Sequence, residues 1–267
     1  MLELFPVLDP KGVIALAERG LMFQALGFML IVAIPVYFLL FFFAYKYRAS
    51  NKKAKYSPNW EHGRMEELVW WVIPLEVVLV LGALTWGSTH ELHPPKPLAG
   101  GDPLIIQVVA LDWKWLFIYP EQGIATVNYL HMPVNRPVEF RITSDAPMNS
   151  FWIPQLGGQI YAMTGMVTAL NLMATEPGAY AGASANYSGE GFATMKFTAW
   201  AVTPEEFDAW VGRIKASPET LSWEKYKELV EPSSSVPQTF YAAIAPGLFD
   251  SVLMQFMDAH NPTGHSH

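Results

Sequence analysis

The residues of this 267-residue chain that could do chemistry are carboxylates, histidines and methionines, because it contains no cysteine. Disulfides, iron–sulfur clusters, thiolate copper and cysteine-built zinc are thereby excluded. Glu66 and Glu67 stand just before an apolar run, and Glu76 stands inside it. A carboxylate at the mouth of a membrane span can collect and pass on protons. The plainer reading is an interfacial acid near a helix N-terminus, where the macrodipole favours it. A bare carboxylate at the depth of Glu76 is costly, so that residue must be protonated or paired with a neighbouring polypeptide, and a proton relay comes second. Met148, Met163, Met166, Met173 and Met195 could make a thioether copper(I) site, although methionine more often fills irregular gaps in a core. His90 and His93 are three residues apart, a spacing that puts two ligands on one helix face, but Pro94 and Pro95 end any helix there. His260, His265 and His267 fall in or beside a polar tail, residues 261–267, that is expected to be disordered.

Two long apolar segments must position the carboxylates. The first is the run of 26 uncharged residues between Arg19 and Lys46, GLMFQALGFMLIVAIPVYFLLFFFAY. About 20 apolar residues suffice to cross a bilayer as a helix. Pro35 predicts a kink. A cleavable signal peptide fits poorly, because the run is too long and no small-residue cleavage site follows. The second span covers residues 68–89, with Glu76 as its only charge and Trp70, Trp71 and Trp86 as an aromatic belt. Spans at about 20–45 and 68–89 form a hairpin, and residues 1–97 are read as one N-terminal unit. The connecting loop 46–67 carries Lys46, Arg48, Lys52, Lys53, Lys55 and Arg64. The positive-inside rule puts that loop in the cytoplasm and both termini outside, in the periplasm of a bacterium.

Charge is divided unevenly. Residues 1–90 hold eight Lys/Arg against seven Asp/Glu, whereas residues 91–267 hold nine against seventeen. An acidic outer part argues against nucleic acid, whose phosphates require a basic surface.

After a Pro/Gly-rich linker the pattern becomes β. Leu104 to Leu111 is a near-continuous apolar run, as in a strand buried on both faces. Arg136–Thr143 and Met195–Val202 alternate as half-buried strands do, and Met166–Met173 is a further candidate. Turns are marked by Asn135-Arg136-Pro137 and Glu176-Pro177-Gly178. Residues 98–202 therefore read as a β-sandwich or barrel. Residues 203–260 read as helical: Thr203 caps a helix with Pro204 at its first position, and Phe207, Trp210, Val211 and Ile214 share one face. A second helix runs from a Ser222 cap to Val230. A third follows Pro246, with Leu248, Val252 and Phe256 spaced four apart.

Four phrases, EELVWWVIP, DWKWLFIYPEQGIATVN, MNSFWIPQLGGQIYAM and YSGEGFATMKF, resemble subunit II of the haem–copper respiratory oxidases, and most closely its ubiquinol oxidase branch of the cytochrome bo type. The resemblance covers nearly the whole chain. It implies a transmembrane hairpin, an all-β cupredoxin-like (Greek-key β-sandwich) domain and a short C-terminal, aromatic-rich helical extension.

In cytochrome c-oxidising relatives the β-domain holds a dinuclear copper centre built from two Cys, two His, a Glu carbonyl and a Met. Carried over by spacing from Met195, the two Cys positions are Ser184 and Ser188, the Glu position Asn186 and the second His position Phe192. The first His position is Asn149. Of the six, only Met195 keeps its type, and a neutral hydroxyl cannot replace a thiolate. The resemblance thus implies no metal on this chain. It places two haems and one copper in a partner subunit I, which also binds the quinone. Further implied partners are small membrane subunits and membrane lipid, and Glu67 corresponds to a glutamate at the mouth of a proton-uptake channel. Trp113 and Trp115 lie where copper-bearing relatives route electrons, and without copper they are expected to pack. Asp112, Lys114 and Arg141 are candidates for pairing with loops of subunit I.

The alternatives are a copper-bearing cytochrome c oxidase subunit II and a membrane-tethered periplasmic binding protein. Many members of the ubiquinol branch begin as lipoproteins with an acylated Cys. This chain begins Met1-Leu2-Glu3, so the expectation is a member that lacks the lipid or is trimmed at its start.

Overall fold

The structure is a computed structural model that describes residues 6–260 apart from 54, 56, 57 and 59–62. The tail from Asn261 lies outside the described residues. The chain divides into two compact units, residues 20–92 and residues 1–19 with 93–267.

The first unit is a pair of apolar helices. α1 spans Val13–Lys46 and carries Pro35 internally. α2 spans Arg64–Glu91, begins after Gly63 in extended conformation and carries Pro74. Each is long and apolar enough to cross a membrane. Half-buried positions form a stripe on each: Leu21, Ala25 and Phe28 on α1, with Ala33 off to one side, and Val77, Leu81, Leu84 and Ser88 on α2.

The second unit is a two-layer β-sandwich with helices. Its strands are β1 (Leu104–Leu111), β2 (Lys114–Tyr119), β3 (Ile124–Val127), β4 (Tyr129–Pro133), β5 (Val138–Ser144), β6 (Asn149–Trp152), β7 (Ile160–Ala162), β8 (Thr168–Leu172), β9 (Gly178–Ser184), β10 (Lys196–Val202), β11 (Thr220–Leu221), β12 (Thr239–Tyr241) and β13 (Ala243–Ile244). One sheet has the order β12-β3-β2-β1-β5-β8 and the other β4-β10-β9-β6-β7. β1 runs parallel to β5, with Leu104 opposite Val138, and β10 runs parallel to β4. The alternation in β10, exposed Lys196 and Trp200 between buried Phe197, Ala199 and Ala201, matches the half-buried strand expected there.

Both faces of β1 and β2 are buried, and by different partners. Ile106, Val108, Ala110, Trp115, Phe117 and Tyr119 point into the sandwich core. Val109, Leu111, Leu116 and Ile118 point the other way and are covered by Leu221, Tyr226, Tyr241, Leu248, Phe249 and Val252 of the C-terminal extension. The continuous apolar text of β1 follows from this double cover.

That extension contains α3 (Pro204–Lys215), α4 (Trp223–Val230) and α5 (Leu248–His260). α3 has a full capping box: the Thr203 side chain accepts from the Glu206 N–H, and Glu206 accepts from the Thr203 N–H. Its buried residues are Phe207, Trp210, Val211 and Ile214, the four expected from spacing. α4 is capped by Ser222.

Residues 6–19 pack on the sandwich rather than standing apart with the hairpin. Lys11 N–H donates to the Gln155 carbonyl at 2.7 Å, Thr175 N–H donates to the Lys11 carbonyl at 2.8 Å, and Lys11 Nζ meets Glu176 at 2.8 Å. Gly12 lies so close to the Leu156 backbone that a Cβ there would be 2.4 Å from its carbonyl oxygen. Residues 6–19, which include the first turns of α1, thus belong to the same compact unit as the sandwich.

His131 is packed between rings. Trp210 lies parallel to it at 4.6 Å and Tyr129 at 5.2 Å. Burial pushes its pKa down to about 4, and Arg213 adds to the effect while Glu206 opposes it. The depressed value means the unfolded chain binds a proton that the folded chain refuses. This contribution to stability is complete above about pH 6.5, declines as pH falls and is gone near pH 4. We expect His131→Phe, which keeps a stacked ring and removes the proton, to flatten the thermal midpoint against pH in that window. Parallel pH profiles for variant and wild type in detergent would contradict this.

Candidate functional site

Asn149 opens β6 and Ser184 closes β9, two strands that pair with Phe151 opposite Ser184. The loop from Ala185 to Met195 then returns through a short 3-10 turn, Phe192–Thr194, into β10. The Ser184 hydroxyl donates to Asn149 Oδ1 at 3.0 Å and lies 3.2 Å from the Asn186 carbonyl. Asn149 Nδ2 donates to the Pro147 carbonyl at 2.8 Å, and Asn186 Nδ2 donates to the Met148 carbonyl at 2.9 Å. Ser184 N–H donates to the Met195 carbonyl at 3.1 Å. Asn149, Ser184, Asn186 and the Met195 backbone are thus tied into one neutral, largely buried network.

Ser188 and Phe192 sit on the same loop but outside that network. The Ser188 hydroxyl is buried with no hydrogen-bond partner among the described residues, and the Phe192 ring packs edge-on against Tyr187 at 5.6 Å. None of these six positions supplies a thiolate, carboxylate or imidazole, and the Asn149 amide oxygen is already occupied by the Ser184 hydroxyl. This donor set does not fit a dinuclear copper centre, which requires soft anionic bridges. Among the described residues no group of three or more His, Cys, Asp or Glu is arranged for a metal ion.

Trp113 clamps the loop from outside. Its φ of 63° is in the left-handed region that a bulky residue rarely adopts. Its indole Nε1 donates to the Ser188 carbonyl at 3.0 Å. A Cβ on Gly191 would lie 2.3 Å from Trp113 Cδ2, so only glycine lets the ring lie against the loop. Trp115 instead points into the core, edge-on to Phe151 at 5.4 Å.

Glu66 and Glu67 occupy the first turn of α2, both exposed, and Glu67 N–H donates to the Gly63 carbonyl at 2.9 Å. Proton entry and macrodipole stabilisation are equally compatible with that placement.

Comparison with known proteins places the chain. The family model for the cytochrome c oxidase subunit II periplasmic domain matches residues 121–202, and the one for the COX aromatic-rich motif matches residues 215–260. The cytochrome bo(3) ubiquinol oxidase subunit 2 of Pseudomonas aeruginosa is 50% identical over 97% of this chain and 78% of its own length. The chain belongs to the ubiquinol oxidase subunit 2 family. The ubiquinol oxidase subunit 2 of Acetobacter aceti is 49% identical over 94% of this chain and 82% of its own. A solved structure, the periplasmic domain of subunit II of cytochrome oxidase (CoxB) of Bradyrhizobium japonicum, matches at TM-score 0.42 and 22% identity over 43% of this chain and 96% of that one. Membership sets the sandwich among subunit II periplasmic domains, following two apolar helices in the chain.

Within this family member, several expectations change. Lys114 is not open to a partner: it is fully buried, and Nζ donates to the Glu231 carbonyl at 2.8 Å, Ser233 Oγ at 2.6 Å and the Asp112 carbonyl at 3.3 Å. Burial holds its pKa below the usual lysine value, against the pull of Asp112 and Glu231. Arg141 pairs with Glu139 at 2.7 Å. Of the five methionines only Met195 is core, since Met148 and Met166 are 44% and 52% exposed. His90 lies in the last turn of α2 with its Nδ1 2.8 Å from the Trp86 carbonyl. Sequence reading missed Asp145, whose two oxygens accept from Tyr226 at 2.6 Å and Gln255 at 2.8 Å and so pin α4 and α5. No local motif marks it.

Gly191→Ala is expected to displace the Trp113 ring and lower stability by about 1–3 kcal/mol, the usual cost of overpacking. An unchanged thermal midpoint would mean the ring is not held against the loop.

Proposed function

We propose that this chain is the non-catalytic subunit II of a proton-pumping ubiquinol oxidase. In this reading quinol is oxidised, and oxygen reduced to water, in subunit I, which carries two haems and one copper. This chain has no electron to relay. Its β-domain caps the outer face of the assembly, its helices anchor it in the inner membrane, and the basic loop 46–67 lies on the cytoplasmic side. Membrane lipid and small membrane subunits complete its surroundings.

One observation carries this reading over a cytochrome c oxidase. Where the resemblance puts copper ligands, the chain has a hydrogen-bonded Asn149–Ser184–Asn186 set, and each member already has a partner. A metal would have to break these bonds and would find no thiolate in return. A free-standing binding protein is disfavoured by the length of the match to oxidase subunits, 94–97% of the chain.

Glu67 is the residue we assign to proton entry. It stands in the first turn of α2, exposed and next to the basic loop, so it can exchange with bulk water and hand protons to a partner channel. The acid and the helix N-terminus favour one another at the membrane boundary.

The test is purification of the tagged chain from membranes in mild detergent. Haem should co-purify, and the complex should consume oxygen with ubiquinol and not with reduced cytochrome c. Cytochrome c oxidation, or a haem-free preparation, overturns the proposal. In the same complex Glu67→Gln is expected to lower turnover severalfold, as loss of a proton-transfer group does, with haem content unchanged. Wild-type turnover and proton uptake in that variant would remove Glu67 from the role.

A further inference from the structure

Glu76 is the one charged residue inside either apolar segment. It lies about 4 Å along the helix axis from the midpoint of residues 68–89, at a rise of ~1.5 Å per residue. The nearer edge of a ~30 Å hydrocarbon core is then ~11 Å away, beyond the reach of a two-methylene side chain. The carboxylate cannot reach water by bending.

Nor does the chain itself satisfy it. Glu76 makes no hydrogen bond or ion pair among the described residues, and it is exposed on α2. The half-buried stripe Val77, Leu81, Leu84 and Ser88 is centred about 110° around the helix from Glu76, at ~100° per residue. Both apolar segments lack Lys, Arg and His. Hairpin formation therefore leaves the carboxylate facing outward into hydrocarbon.

The same face is shaped for close approach. Ala83 and Gly87, four residues apart, fall within ~20° of Glu76 around the axis. A Cβ on Gly87 would meet nothing within 4 Å, so the missing side chain serves no packing inside the hairpin. Small residues at this spacing let a second helix come near in a membrane.

We infer that the Glu76 face of α2 is a helix-docking surface, and that its occupant is a membrane-spanning helix with a basic side chain at mid-bilayer depth that pairs with Glu76. Charge complementarity selects this occupant over lipid. An acyl chain offers no donor, whereas a Lys, Arg or His at the same depth needs an acid as much as the acid needs it. Each ion compensates the other, and deleting one strands its partner in low dielectric. The inference rests on the chain being part of a membrane complex.

Two measurements test it. In the first, the purified complex is compared for haem per tagged chain in Glu76→Asp, Glu76→Gln and Glu76→Leu. Asp should stay near wild type, while Gln and Leu should fall by about threefold or more, the scale of a polar contact between helices in a membrane. A Leu variant that assembles like wild type puts Glu76 against lipid and overturns the inference. A Gln variant with full haem removes the basic partner and overturns it equally. In the second, a benzophenone-bearing residue replaces Val80, one turn from Glu76, and is photolysed in native membranes. The expected adduct joins this chain to a transmembrane peptide containing Lys, Arg or His. Lipid adducts alone, or a peptide without such a residue, sink it. Crosslinking needs no haem, so it separates failure of this inference from failure of the oxidase assignment.

Discussion

The β1–β2–β3 part of the large sheet is apolar on both faces, and the rest of the outer unit follows from the need to cover it twice. One cover is the opposite sheet, with Phe151, Phe197 and Met195 facing Trp115 and Phe117. The other is the C-terminal extension, whose Leu221, Tyr226, Leu248 and Val252 lie on Val109, Leu111, Leu116 and Ile118. Fully burying one such side chain is worth about 1.5–3 kcal/mol, so an uncovered outer face would expose a patch comparable to a whole small core. Polar ties then fix the register of the cover. Lys114 reaches through to Glu231 and Ser233, Asn128 Nδ2 donates to the Val236 carbonyl at 3.0 Å, and Asp145 holds both α4 and α5. Lys114 and Asn128 are buried and Asp145 half-buried, each with its partners present, which is the condition under which such a group stabilises rather than costs.

The same rule explains how the loop between β9 and β10 keeps its shape with no metal assigned to it. Asn149, Ser184 and Asn186 satisfy one another and nearby carbonyls, and the Trp113 ring closes the loop against Gly191 from the other side. A metal centre would organise such a loop by ligation. Here neutral hydrogen bonds and one strained tryptophan serve instead. The unpartnered Ser188 hydroxyl is the incomplete point of the arrangement.

What could be read from the text depended on whether an element carried a period. α3 was legible in full, cap and buried face together, because Thr203, Pro204, Glu206 and the four apolar positions all agree. β10 was legible because one face meets solvent and the residues alternate. β2 was not singled out as a strand: Lys114–Tyr119 is buried at every position, and a doubly covered strand has no alternation to see. On sequence Lys114 is one of three candidates for pairing with a partner, and lysine is almost never fully buried. Only the fold shows three acceptors converging on its ammonium. Met148 and Met166 were expected in the core on composition, but they fall beside chain turns at the rim, where side chains have less to pack against. The Asn149–Ser184 contact joins residues 35 apart and has no local signature.

The two carboxylates of α2 that invite functional readings cannot share one. Glu67 and Glu76 are nine residues apart, which turns them ~180° about the helix and separates them by ~13.5 Å along it. A relay down one face of α2 would place its acids three, four or seven residues apart, within reach of a common water chain or partner groove. Glu67, in the exposed first turn, can be solvated without any partner. Glu76 cannot, because its depth in the span keeps it from water and no cation pairs with it among the described residues. The helix thus presents an exchangeable acid on one side at its entrance and an acid that demands a partner on the other side near its centre. Proton entry and subunit attachment would then act on different surfaces, so a substitution at one need not disturb the other.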